Sequence, residues 1–297
     1  MAIARRASFL GVFVLGTAVL MPTALYAQQN AAAPPPAQPT LSAAEMETFL
    51  LKARITKQRD AGSGVTASRR ATLTDGRVTH DAHIQNVDIS STVFQAGRSS
   101  EVNFKDTFRY NIAGYRVAQL IGLMTVPMSV ARSVDGKNAA VTWWVDDVQM
   151  DEKARLAKKT FGPNPDRTSK QIQIMRVFDE LIQNKDRNQG NILWTNDWTM
   201  WLIDHTRAFR LGKELLKPEN LTRCDRGLLD RLRAMTAESL ASAVGESLNR
   251  LEQEALLARR DLIVKHYEER IAKLGEAVVL FDISAPPPTS ASSTPAQ

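Results

Sequence analysis

The chain has 297 residues, of which 43% are hydrophobic and 24% charged, and its formal net charge is +6. That balance supports a folded core and excludes a fibre, a wholly disordered chain and a polytopic membrane protein. A single cysteine, Cys224, excludes an intrachain disulfide framework and a zinc ribbon. The basic pairs Arg69-Arg70, Lys158-Lys159 and Arg259-Arg260 are scattered without interleaved aromatics, so no nucleic-acid partner is expected.

Arg5 and Arg6 precede an uncharged apolar stretch over residues 9–21, which Pro22 breaks before Ala24-Leu25-Tyr26-Ala27. This is the tripartite pattern of an export signal, so residues 1–27 are expected to be removed and the mature protein to be periplasmic or secreted. The rival reading is an uncleaved anchor, but the stretch falls short of the roughly 20 residues a comfortable span needs. No later segment is apolar enough to cross, so no stable membrane span is expected after cleavage. Residues 28–41 and 285–297 read as a disordered linker and tail, too rich in Ala, Pro, Gln and Ser to bury anything.

Ser42-Ala-Ala-Glu45 is a capping box that opens an N-terminal helix, assigned to residues 42–61, with Met46, Phe49, Leu50 and Ala53 on one face. Gly62-Ser63-Gly64-Val65-Thr66 is a short glycine stretch able to cover phosphates, a weak signal by itself. Strands follow over 70–74 and 77–87 around the turn Asp75-Gly76. A helix over 107–123 ends at Gly122, and a second hairpin runs over 126–134 and 139–145 around Asp135-Gly136. The remainder is mainly helical. Residues 169–183 form one helix, 192–194 and 198–203 form a short hairpin, and 225–274 form further helices stopped by Gly275.

The densest polar cluster is Asn184-Lys185-Asp186-Arg187-Asn188-Gln189-Gly190-Asn191, followed after the short hairpin by Ile203-Asp204-His205. A carboxylate, an amide five residues on, and a second carboxylate after an apolar strand form the set that phosphoryl transfer needs. The first Asp accepts the proton of an attacking hydroxyl, while the Asn oxygen and the second Asp hold a divalent cation on the phosphates. The bland alternative is a loop of turn formers with Asn191 and Asp204 acting as caps.

Asp186-Arg187-Asn188-x-Gly190-Asn191-Ile192-Leu193 with Ile203-Asp204-His205 resembles the catalytic loop and metal motif of atypical kinases: phosphatidylinositol 3-/4-kinase-like enzymes, HipA-type kinases and secretory-pathway kinases. A weaker similarity runs from Phe104-Lys105-Asp106 through Leu120-Ile121-Gly122-Leu123 to Val126-Pro127. The resemblance implies an α+β, bilobal protein-kinase-like fold, with a β-rich N-lobe over 62–147 and a mainly helical C-lobe over 148–284. It implies ATP or another nucleotide between the lobes, Mg or Mn on Asn191 and Asp204, Asp186 as base, and an interlobe hinge at residues 144–147. Trp144, Val145 and Asp146 of that hinge would meet the base of the nucleotide.

Active kinases hold the phosphates with a Lys that is itself held by a helix Glu. By the same resemblance those places read Gln85 and Asn111, a neutral pair able to hydrogen-bond. The rival placement makes Lys105 the phosphate lysine, with Glu101 or Asp106 nearby. The intact Asp186, Asn191 and Asp204 favour an exported phosphotransferase acting on an unidentified hydroxyl of a protein, lipid or small molecule. The lost pair and the leader favour a catalytically impaired pseudokinase, or a nucleotide- or partner-binding module of the cell envelope. His80 and His83 sit three apart on a strand, so they face opposite sides and read as packing or surface residues rather than metal ligands. His205 and Cys224 are expected to pack.

Overall fold

The computed structural model describes residues 40–61, 68–96 and 99–283. The leader, almost all of the linker, the glycine stretch 62–66 and the tail lie outside them, as does the side chain of Glu101. Helix α1 (Ala43–Lys52) opens on the capping box, with the Ser42 hydroxyl accepting from the Glu45 amide. The helix is shorter than the assigned 42–61. The apolar periodicity stops at Ala53, and Arg54–Asp60 form strand β1, a charged edge strand of the kind that resists further pairing.

Strands β2 (Arg69–Thr74), β3 (Thr79–Gln85), β6 (Ser129–Val134) and β7 (Lys137–Trp143) join β1 in an antiparallel sheet of order β1-β2-β3-β7-β6. The β6–β7 turn has Asp135 and Gly136 both at positive φ, 51° and 75°, which is why Asp-Gly stands there. One face of the sheet, with Leu73, Ala82, Ile84, Val130 and Val141, is buried. Helix α1 packs on this face through Phe49, whose ring meets Trp143 edge-on at 5.7 Å. The other face is polar. Arg70 pairs with His83, His83 with Thr142, and Thr142 with Ser129, so the four share one row.

Between β3 and β6 the chain makes a long hairpin, β4 (Asp88–Ala96) and β5 (Ser99–Thr107), and then helix α2 (Arg109–Leu120). The hairpin has no counterpart among the elements read from the sequence. Helix α2 lies on the polar side of the sheet, where Phe108 and Ile112 pack on Ala140.

After β7 come β8 (Val148–Asp151), α3 (Glu152–Ala157) and α4 (Pro165–Leu181), then the hairpin β9 (Ile192–Thr195) and β10 (Met200–Leu202). Helices α5 (Arg226–Ala234), α6 (Ala237–Val244) and α7 (Arg250–Leu274) complete the helical half. Asn164 and the following Pro start α4, and an Asn249–Glu252 capping box starts α7. Among the described residues no helix is long and apolar enough to cross a membrane.

Candidate active site

The loop after α4 is held by its own side chains. Asn184 accepts from the Asp186 amide (3.1 Å) and donates to Asp179 (3.2 Å). Asn188 accepts from the Gly190 amide (2.9 Å), a turn that delivers Asn191 to the start of β9. Arg187 is the clamp. Its guanidinium bonds both oxygens of Asp179 at 3.0–3.2 Å and also donates to the carbonyls of Asn191 (3.1 Å) and Ile203 (2.8 Å). It therefore ties the Asp186 loop to the end of β10 in one buried ion pair.

The hairpin register Ile192↔Leu202 continues as a bond from the Ile203 amide to the Asn191 carbonyl (3.1 Å). Asn191 thus stands beside the residue that precedes Asp204. Asp204 adopts φ of +53°, uncommon for a non-glycine residue, and its carboxylate accepts from the Thr206 hydroxyl (3.1 Å). The Asp186 carboxylate is half exposed and lies 3.2 Å from a guanidinium nitrogen of Arg207.

Gln85 and Asn111 meet. Asn111 Nδ2 donates to Gln85 Oε1 (2.7 Å), and Asn111 Oδ1 accepts from the His205 amide (2.8 Å). The amide therefore bridges β3, α2 and the residue after Asp204. Both side chains are buried, so a charge on either alone is costly there. Asn111→Glu is expected to destabilise the fold by about 3 kcal/mol, and adding Gln85→Lys to recover much of that loss, a coupling of about 1–3 kcal/mol. Thermal unfolding of both singles and the double checks it. A double variant no more stable than the sum of its singles would show that the two positions do not form one contact.

Lys105 is not in the cleft. Its ammonium pairs with Glu252 of α7, which also accepts from the Tyr110 hydroxyl (2.7 Å). The physical reason is strand alternation: Lys105 and Asp106 are consecutive on β5 and face opposite ways. It is Asp106 that faces the acids. Burial raises its pKa; a hydrogen bond from Thr206 opposes this, and the carboxylates of Asp204 and Asp186 and the charge of Arg207 also act on it. Thr107 N donates to the Thr206 carbonyl (2.9 Å), fixing β5 against this segment.

The hinge residues are placed together but partly committed to the fold. The Trp144 amide donates to the Asp81 carbonyl (3.2 Å), and its indole carries the Arg70 guanidinium at 4.2 Å. Asp146 lies 2.7 Å from His80 Nε2, and the His80 ring stacks on Trp143 at 3.8 Å. The Trp144 amide and the Asp146 carboxylate therefore have partners within the protein, while Val145 lies half-buried between them. His80 packs, as its alternation predicts. His83 is half-buried on the polar face, where burial depresses its imidazole and the Asp204 carboxylate opposes that.

His205 packs against Phe178, with ring centroids 5.6 Å apart, and burial, aided by the Arg187 charge, holds it neutral. Cys224 is buried, which pushes its thiol up rather than down. The sequence did not single out the Arg187 clamp, Asp106 as a third acid in the cleft, or Arg207. For Asp106 the missing signal was the β4–β5 hairpin, whose alternation separates it from Lys105.

Among the described residues no three His, Cys, Asp or Glu side chains are gathered closely enough to hold a metal ion. A kinase-type Mg or Mn site does not demand three, because one or two carboxylates act with phosphate oxygens and waters. The residues present fit such a cation. Their donors are hard oxygens, and Asp106 Oδ1 is buried without a hydrogen-bond partner beside them.

No known family profile matches the chain, and no curated protein does. Solved structures do. The chain is similar to hydra Fam20 with sugar at 14% identity and a TM-score of 0.61, over 80% of this chain and 92% of that one. It is similar to the Golgi casein kinase with Mn/ADP bound at 14% identity and a TM-score of 0.58, over 79% and 77%. The Helicobacter pylori proinflammatory kinase CtkA matches at 12% identity and a TM-score of 0.50, over 76% and 97%. Likeness at this level of identity carries architecture, and the architecture is plain: this chain has an α+β, bilobal, atypical kinase-like fold.

Proposed function

We propose that the protein is an exported, metal-dependent kinase-like phosphotransferase that binds ATP or another nucleotide between an N-lobe over residues 62–147 and a C-lobe over 148–284. The observation that supports the reading is geometric: the Ile203 amide donates to the Asn191 carbonyl (3.1 Å), which sets Asn191 beside the residue before Asp204, and Arg207, three residues after Asp204, reaches Asp186 at 3.2 Å. Asp186 would accept the proton of the acceptor hydroxyl. Asn191 and Asp204 would hold Mg or Mn, which supplies charge neutralisation on the phosphates. Asp106 is the adjacent oxygen donor. The leader pattern, and a neighbour that is a Golgi enzyme, support action outside the cytoplasm.

A second reading is favoured by the bonded Gln85–Asn111 pair, two neutral amides that the resemblance equates with the phosphate lysine and its carboxylate. On that reading the protein is a pseudokinase that binds nucleotide without transferring phosphate. Incubating the mature chain with γ-labelled ATP and Mn or Mg separates the two. Transfer of label to the chain, to casein or to water, lost in Asp186→Asn, supports the enzyme. Metal-dependent binding that Asp204→Ala removes, without transfer, supports the pseudokinase. Absence of any nucleotide binding refutes both.

A further inference from the structure

We infer that His83, in the middle of β3, is the residue that touches the nucleoside part of the bound nucleotide, between the hinge and the cation site. The inference rests on the nucleotide-dependent reading above and assigns a residue within it. Strand β3 alternates: Ala82 and Ile84 are fully buried, while Asp81, His83 and Gln85 stand on the opposite, polar face. Both neighbours of His83 on that face are tied to parts of the site. Asp81 is tied to the hinge. Its carbonyl accepts from the Trp144 amide (3.2 Å), and its carboxylate holds Arg70 (2.5 Å), which stacks on the Trp144 indole. Gln85 is tied to the cation end. It accepts from Asn111, which in turn accepts from the amide of His205, the residue after Asp204. A strand advances roughly 3.3 Å per residue, so His83 stands roughly 6–7 Å from each of these two positions. A nucleotide with its base at the hinge and its phosphates on the cation therefore lays its nucleoside against His83.

The row across the sheet points the same way. His83 lies opposite Arg70 on one side and Thr142 on the other. Arg70 is engaged by Asp81 and Trp144, and the Thr142 hydroxyl is bonded to that of Ser129 (2.8 Å). The His83 ring is half-buried, and among the described residues it has no hydrogen-bond partner, whereas His80 is bonded to Asp146 and His266 to the Leu221 carbonyl. Burial holds the ring neutral against the opposing charge of Asp204, so one nitrogen donates and the other accepts. Such an imidazole offers a flat apolar face and a hydrogen bond of either sense. That suits a sugar hydroxyl or the edge of a base, and brings no charge to a polyphosphate.

Calorimetric titration of the mature chain with ATP and with inorganic tripolyphosphate, each with Mn, tests the assignment, because the two ligands share the phosphates and differ in the nucleoside. His83→Ala is expected to lower ATP affinity about three- to tenfold, the worth of one net hydrogen bond, and tripolyphosphate affinity by less than about twofold. His83→Gln keeps a donor and an acceptor on a flat amide and is expected to recover most of the ATP loss. If His83→Ala fails to fold, His83→Leu, which keeps bulk and loses both nitrogens, takes its place in the comparison. A tripolyphosphate affinity that falls as far as that of ATP, an ATP loss as large in His83→Gln as in the apolar variant, or an unchanged ATP affinity overturns the assignment and leaves the nucleotide reading standing. A wild-type chain that does not bind ATP overturns both.

Discussion

Arg187→Ala is expected to cost about 3–5 kcal/mol of stability, a fall in melting temperature on the order of 10 °C for a domain of this size. The guanidinium and Asp179 are both largely shielded, so the truncation leaves a carboxylate with little water and only the Asn184 amide to turn to. It also strips the donor from the carbonyls of Asn191 and Ile203. These are the residues on which Asp204 is hung, so the loss reaches the site. Metal-dependent nucleotide binding is expected to weaken even at temperatures where the variant is folded. Asp179→Asn combined with Arg187→Ala recovers part of the stability by removing the stranded charge, but not the binding, because the two carbonyls still lack their donor. Differential scanning calorimetry with nucleotide titration checks both. A single variant that melts within about 1 °C of wild type would show that the clamp is not holding the loops.

The parts legible in the sequence are those whose logic is local. Asn191 and Asp204 flank one short hairpin, so spacing alone indicates that the chain returns Ile203, the residue before Asp204, to Asn191, as the bond between their backbones shows. Gln85 and Asn111 were readable as a pair only through the resemblance, which sets them where kinases carry the phosphate lysine and its helix carboxylate; the bond between them is seen in the structure. The Ser42–Glu45 capping box marked the start of α1, and the two Asp-Gly turns marked the tight hairpins, through the same local logic. What escaped depends on contacts distant in sequence. Lys105 and Asp106 are both charged and adjacent, and only the β4–β5 hairpin and the position of Glu252 on α7 decide which of them enters the cleft. Arg187 looked like one more polar residue in a turn, since its partners Asp179 and Ile203 are brought near only by α4 and β10. Arg54–Asp60 looked like the tail of a helix because its charges mask strand character, and an edge strand has no buried face to announce it.

Arg259 makes another set of contacts distant in sequence and leads to the other large expected effect. It sits fully buried on α7 and donates through Nε to the Leu181 carbonyl (2.9 Å) and through Nη1 to the carbonyls of Arg210 (3.0 Å) and Gly212. Burial lowers its pKa to about 10, with Glu214 and Glu180 opposing, so it stays charged at neutral pH. Arg259→Met removes the desolvation cost of that charge and keeps most of the volume, which argues for a small effect. Against it stand three carbonyls deprived of their donor, each worth about 1–3 kcal/mol when buried. The second term wins, and the net loss is expected to be about 3 kcal/mol. The damage is directional, because all three carbonyls belong to the end of α4 and to the segment after Asp204. That segment is also held by the bond from the Phe209 amide to the Ile182 carbonyl (2.6 Å). Amide hydrogen exchange in Arg259→Met is therefore expected to quicken at residues 205–212 well before it quickens in the five-stranded sheet. Uniform acceleration across the chain, or a stability equal to wild type, would mean that Arg259 is an expensive buried charge and not the staple that holds the Arg207 segment against the helical half.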